Sequence, residues 1–275
     1  LEKSVFLADV NRAFGSWGFL IGVIGMPIAA FFGVFDQILP VCQGAYAETG
    51  LEQGFVIRLV FTALSSKIVL LVLPILCVIP FATAFLDDYK TRFLRKYLPR
   101  AGKKKYVTAK VIVSAISGGL TLFLGIILVL FLFTILFRPL EVPPEEPEGS
   151  AYEMQVTETE QTVDVTAQQN LVTLLSYAFV FFLCGCLWSL VGGLLAAVTM
   201  SKYMAYASPF ILYFMLVIIS ERYFKNIYVL NPQEWTNPVA QWPGGIWGVV
   251  LLILELMIAV GFLYRTIMER KLQDV

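Results

Sequence analysis

Charge is missing from the chain over six long stretches, 13–35, 68–86, 111–137, 171–201, 203–220 and 246–264, the last interrupted only by Glu255. A bilayer core about 30 Å thick is crossed by roughly 20 helical residues at a 1.5 Å rise. Lipid offers the backbone no hydrogen-bond partners, so each stretch predicts a spanning helix rather than an isolated strand. The expected fold class is an all-α membrane protein with six transmembrane helices, a single transmembrane domain over 1–275. Stretches 111–137 and 171–201 exceed the spanning length and are expected to tilt or to project beyond the headgroups. Stretch 203–220 is the shortest and has Pro209 near its start, which makes it the candidate for a kink or a partly re-entrant path.

The polar segments carry patterns of their own. Residues 1–12 mix Val5, Phe6 and Val10 with charges, which fits a short interfacial helix or a frayed terminus. Over 51–66, Phe55, Leu59, Val60, Ala63 and Leu64 recur at three-to-four-residue spacing and predict an amphipathic helix on the outer surface. In 87–110, Phe93, Leu94, Tyr97 and Leu98 are spaced for a short helix, and Pro99 and Gly102 mark a turn. Two readings of this basic segment stand side by side: a patch that binds anionic lipid, and a helix that docks onto a soluble partner. Segment 138–170 opens on Pro139, Pro143, Pro144, Pro147 and a run of Glu, as a solvated spacer would; residues 154–165 alternate as a small hairpin would. Segment 222–245 concentrates Tyr223, Phe224, Tyr228, Trp235 and Trp242 with Pro232, Pro238, Pro243, Gly244 and Gly245 around them, which predicts interface anchoring or short re-entrant helices.

Basic residues orient the helices. With the amino terminus inside, fifteen of the 20 Lys and Arg lie in cytoplasmic segments, nine of them between Lys90 and Lys110. The five outside are Arg58, Lys67, Arg138, Arg222 and Lys225. This bias predicts that both termini and the loop 87–110 are cytoplasmic, and that the acidic loop 138–170 faces out. Ala45-Tyr46-Ala47 imitates a signal-peptide cleavage site, but the apolar run before it is too long and ends too early, so an uncleaved first span is expected.

Composition adds exclusions. Apolar residues make up 58% of the chain and charged residues 15%, against roughly 25% charged in a soluble domain. The net charge is zero and no nucleic-acid partner is expected. Histidine is absent, which rules out His-Glu-x-x-His zinc chemistry and His-dependent acyl transfer. There is no Gly-x-x-x-x-Gly-Lys-Ser/Thr phosphate loop. Cys77, Cys184 and Cys186 fall inside apolar runs and read as packing residues, as do Gly118-Gly119 and Gly192-Gly193. No metal site is expected. Glu255 stands at the centre of the sixth stretch, where an ionisable group must face protein or water. It is either a pathway or interface residue, or a carboxyl hydrogen-bonded to a neighbouring helix.

The order of these parts resembles the membrane subunits of ATP-binding-cassette type-2 exporters, particularly small bacterial ones tied to peptide or antibiotic export and self-immunity. The resemblance covers nearly the whole chain. Its local carriers are Asp88 at the end of the second span, then Arg100, Lys104 and the Tyr106-x-x-x-Lys110 that leads into the third. Ser208-Pro209-Phe210 and the stretch from Glu221-Arg222-Tyr223 to Asn231-Pro232 are similar too. Family members often have a glycine shortly after the acid; Arg92 stands near that place here.

The resemblance implies a permease subunit of the cell membrane, not an enzyme in its own right, that exports a peptide, antibiotic or other amphipathic substrate. ATP and Mg would be held by a separate ATPase subunit, and a second permease subunit, identical or different, would complete the path. Coupling to the ATPase would fall to Asp88, Arg92, Phe93, Leu94, Arg95, Lys96, Tyr97, Arg100, Lys104 and Tyr106. Two rival functions remain open: a receptor or immunity protein that binds ligand at its outer loops without pumping, and a membrane enzyme that uses Glu255 with the edge acids Asp87 and Asp88.

Overall fold

The structure is a computed structural model that describes residues 2–42, 55–91, 94, 102–137, 167–224, 231–236 and 245–273. Those residues form helices and turns, with no strand among them. In chain order the helices are α1 (Glu2–Phe14), α2 (Trp17–Gly33), α3 (Phe35–Cys42), α4 (Phe55–Ser65), α5 (Lys67–Leu76), α6 (Ala84–Lys90), α7 (Lys103–Leu136), α8 (Ala167–Thr199), α9 (Lys202–Tyr223) and α10 (Ile246–Lys271). A single 3-10 turn, Glu234–Thr236, is the described element of the aromatic segment.

Four helices, α7 to α10, are long and apolar enough to cross a membrane, and up to six spans result if each of two bent pairs counts as one. The pairs are α1 with α2, bent by 47°, and α4 with α5, bent by 66°. A serine starts the second member of each pair. Ser16 accepts a hydrogen bond from the Phe19 amide and Ser66 from the Val69 amide, which satisfies donors the first helical turn leaves open.

The helices overlap the expected stretches, with local differences. The helix anticipated over 51–66 is α4, and its buried face is Leu59, Val60, Ala63 and Leu64. The stretch 203–220 runs unbroken as α9 through Pro209; Ser208 Oγ donates to the Met204 carbonyl one turn back. The second stretch, 68–86, is instead interrupted: α5 ends at Leu76 and α6 begins at Ala84. Pro80 has no amide hydrogen, and its ring disfavours helix in the residues before it. The turns between bond to themselves in a mixed pattern, with the Val78 and Ile79 amides both donating to the Ile75 carbonyl. The hairpin anticipated over 154–165 lies outside the described residues.

Helix α8 is the central post and α10 the outermost. Of their most apolar 18-residue windows, 78% is buried in α8 and 17% in α10. The interrupted backbone of the second stretch is enclosed by glycines of three helices. A Cβ on Gly18 of α2 would stand 2.9 Å from the Ile79 carbonyl oxygen, one on Gly118 of α7 2.8 Å from that of Cys77, and one on Gly192 of α8 2.8 Å from a Val78 methyl. Cys77, Cys184 and Cys186 are free and buried, in keeping with packing.

Candidate functional site

The densest chemistry lies where α1, α6, the start of α7 and the start of α9 meet. Lys110 projects from α7 and is 1% exposed. An unpaired ammonium at that depth would be strongly disfavoured. Its Nζ lies 2.7 Å from Asp9 Oδ1 of α1 and 2.8 Å from Asp88 Oδ2 of α6. The rings of Phe81 and Tyr106 flank it, at 4.9 and 5.4 Å to their centroids, so aromatic faces cover what the carboxylates do not. Tyr106 precedes Lys110 by one helical turn and shares its face.

Asp88 is the centre of this knot. Besides Lys110 it accepts from Arg12 Nη1 at 2.6 Å and from the Tyr106 hydroxyl at 2.8 Å. Burial by itself would raise its carboxyl, but the Lys110 charge and the hydrogen bonds from Lys110, Arg12 and Tyr106 outweigh burial and hold it below the usual range. Asp87, one residue earlier, faces the more open side. Lys202 Nζ at the start of α9 lies 2.5 Å from Asp87 Oδ1, and Arg12 Nη2 4.0 Å from Oδ2. Three carboxylates thus meet three cations, and the knot is neutral. Asp9 Oδ2 is buried with no hydrogen-bond partner among the described residues.

The sequence dictates how α1 reaches it. Asp9 and Ala13 form the buried face of the helix, and Phe6 and Leu7 are exposed, as an interfacial helix would present them. On the other side an apolar cluster backs the knot: Phe85, Leu94, Tyr106, Val107, Tyr264 and Met268 are all buried. Lys103 Nζ closes the edge by donating to the Leu272 carbonyl at 3.0 Å, which ties the end of α10 to the start of α7.

Of the residues expected to couple to a partner, Asp88 and Tyr106 are in the knot. Lys104 is exposed at the start of α7. Leu94 requires a correction. Expected as an apolar knob for a partner's groove, it is 1% exposed and belongs to the chain's own buried cluster with Phe85, Tyr106 and Tyr264, where burial of its side chain is favoured over exposure. Arg92, Phe93, Arg95, Lys96, Tyr97 and Arg100 lie outside the described residues. Glu255 is exposed on α10 and makes no hydrogen bond or ion pair among the described residues, so of its two expected roles the bond to a neighbouring helix is not found among them.

Sequence reasoning missed Asp9, and it counted Arg12 and Lys202 only as topological charges. The available signal was a lone acid within an otherwise apolar helix face, which in a membrane-edge helix demands a cation. Among the described residues no group of three or more acids or cysteines is placed to hold a metal. Compared with known proteins, the chain matches no family model, no curated protein and no solved structure.

Proposed function

We propose that the chain is the permease subunit of an ATP-binding-cassette exporter of the bacterial cell membrane, powered by a separate ATPase subunit. In this reading the six spans are the stretches 13–35, 68–86, 111–137, 171–201, 203–220 and 246–264, α1 is interfacial, and both termini and the charged knot are cytoplasmic. The substrate class is a peptide, antibiotic or other amphipathic molecule. One observation supports the reading most: both ends of the basic segment 92–101 are rooted in the knot. Asp87 and Asp88 stand just before it, and Tyr106 and Lys110 just after, each bonded to another helix. A push on this segment by a closing ATPase would reach α1, α7 and α9 through short ion pairs. The interruption at 77–83 would let α6 tilt without dragging α5.

The test is affinity purification of the tagged chain from its own membranes. An ATPase with a Gly-x-x-x-x-Gly-Lys-Ser/Thr phosphate loop is expected to come with it. Replacing Phe93 and Tyr97 by Ala leaves charge unchanged. Lipid attachment, worth about 1 kcal/mol per basic residue, would survive, whereas docking through buried aromatic anchors would not. Loss of the ATPase and of ATP-driven transport is therefore the expected result. A double variant that still brings down a stimulated ATPase removes the docking assignment, and a wild-type chain that brings none removes the permease reading.

A further inference from the structure

Glu255 has hydrogen-bonding atoms that no described residue of this chain satisfies. It lies nine residues into α10 from Ile246, about 14 Å along the axis, close to half of a hydrocarbon core roughly 30 Å thick. A glutamate side chain is too short to reach either headgroup layer from there. Ionised or protonated, it cannot be matched by lipid tails. Its neighbours on the same face, Leu251, Ile258 and Phe262, are 61, 72 and 69% exposed. The spacing 251-255-258-262 repeats every seven residues, the period of a helix-to-helix seam.

Among its described residues, a second copy of the chain offers no matching partner. A two-fold interface on this face would set carboxyl against carboxyl. The exposed mid-helix faces of α2 and α9 offer Ile24, Ile28, Ile211 and Met215, all apolar. We infer that this face of α10 binds a transmembrane helix of a different polypeptide, one that presents a cation or amide donor near mid-membrane. The inference does not depend on the ATPase reading: it rests on the uncompensated carboxyl and on the seam around it.

A photoreactive benzoylphenylalanine at Leu251 or Ile258, with Met215 on α9 as the control position, tests it in intact cells that express the full chain. Adducts are sequenced to find the crosslinked segment. The expected product at 251 and 258, and not at 215, is a spanning segment of another polypeptide with Lys, Arg, Asn, Gln or His near its middle. In the Glu255→Leu background, which favours insertion, the adduct should fall at least tenfold, while Glu255→Gln keeps part of it. Four results overturn the inference: adducts between two differently tagged copies of this chain, adducts with lipid alone, a captured span that is apolar throughout, or a protein adduct undiminished by Glu255→Leu. The assay reads neither ATP hydrolysis nor transport, so failure of the permease reading leaves its outcome unaffected.

Discussion

A single lysine sets the energetics of the charged knot. Lys110 is buried between Asp9 and Asp88, and removing one member of such a set leaves the others charged without compensation. Lys110→Met is expected to destabilise the chain by about 3–5 kcal/mol, measured by thermal unfolding in detergent. Adding Asp9→Leu should recover much of that loss, because an apolar pair of similar volume avoids desolvation altogether; an additive second loss would show that the two side chains do not interact. Asp88 determines the response to acid. Its carboxyl is held below the ordinary value of 3.8, so its stabilisation is complete above that value and disappears as pH falls through the depressed one. Thermal stability should therefore show no Asp88 dependence from about pH 8 down to about pH 5, and should fall below about pH 4. Asp88→Asn should start lower at neutral pH and lose less in acid; equal acid losses in the two proteins would contradict the assignment.

At the scale of elements, close packing of helices accounts for where the glycines fall. A Cβ on Gly118 would lie 2.7 Å from the Gly185 carbonyl oxygen and 2.8 Å from that of Cys77. Both neighbours are backbone and cannot swing aside, so α7, α8 and the turn after α5 would have to separate. Gly118→Ala is expected to cost about 1–3 kcal/mol. Gly261 in α10 supplies the contrast, since a Cβ there meets only Val111 at 3.8 Å and Leu190 at 3.9 Å. Gly261→Ala should be neutral or should stabilise by up to about 1 kcal/mol through reduced backbone freedom. Melting both variants beside the wild type checks the pair, and a reversed order would refute the packing account.

For the whole molecule, the distribution of basic residues makes a prediction independent of any contact. Single cysteines at Gly102 and Gly149, in a background without the four native ones, should label oppositely with a membrane-impermeant reagent applied to intact cells. Gly149 is expected to react and Gly102 to stay silent until the membrane is opened. The reverse pattern would invert every span. The same orientation puts the charged knot on the side from which an ATPase would act, so the labelling result bears directly on the permease reading.

Helical class, the approximate limits of α7 to α10 and the packing role of the buried cysteines and glycines were legible in the sequence, because hydrocarbon leaves the backbone a single local way to bond and small residues a single use between helices. The interruption at 77–83 was half legible: Pro80 was visible, but whether an apolar run bends or breaks depends on which neighbours enclose it, here Gly18, Gly118 and Gly192. The charged knot was decided by tertiary structure alone. Asp9, Asp88 and Lys110 are separated by 101 and fewer residues along the chain, and which acid faces which base depends on how α1 and α6 turn about their axes. Leu94 shows the same limit, since an apolar residue in a basic segment suits an exposed anchor as well as a core position, until Phe85, Tyr106 and Tyr264 close around it.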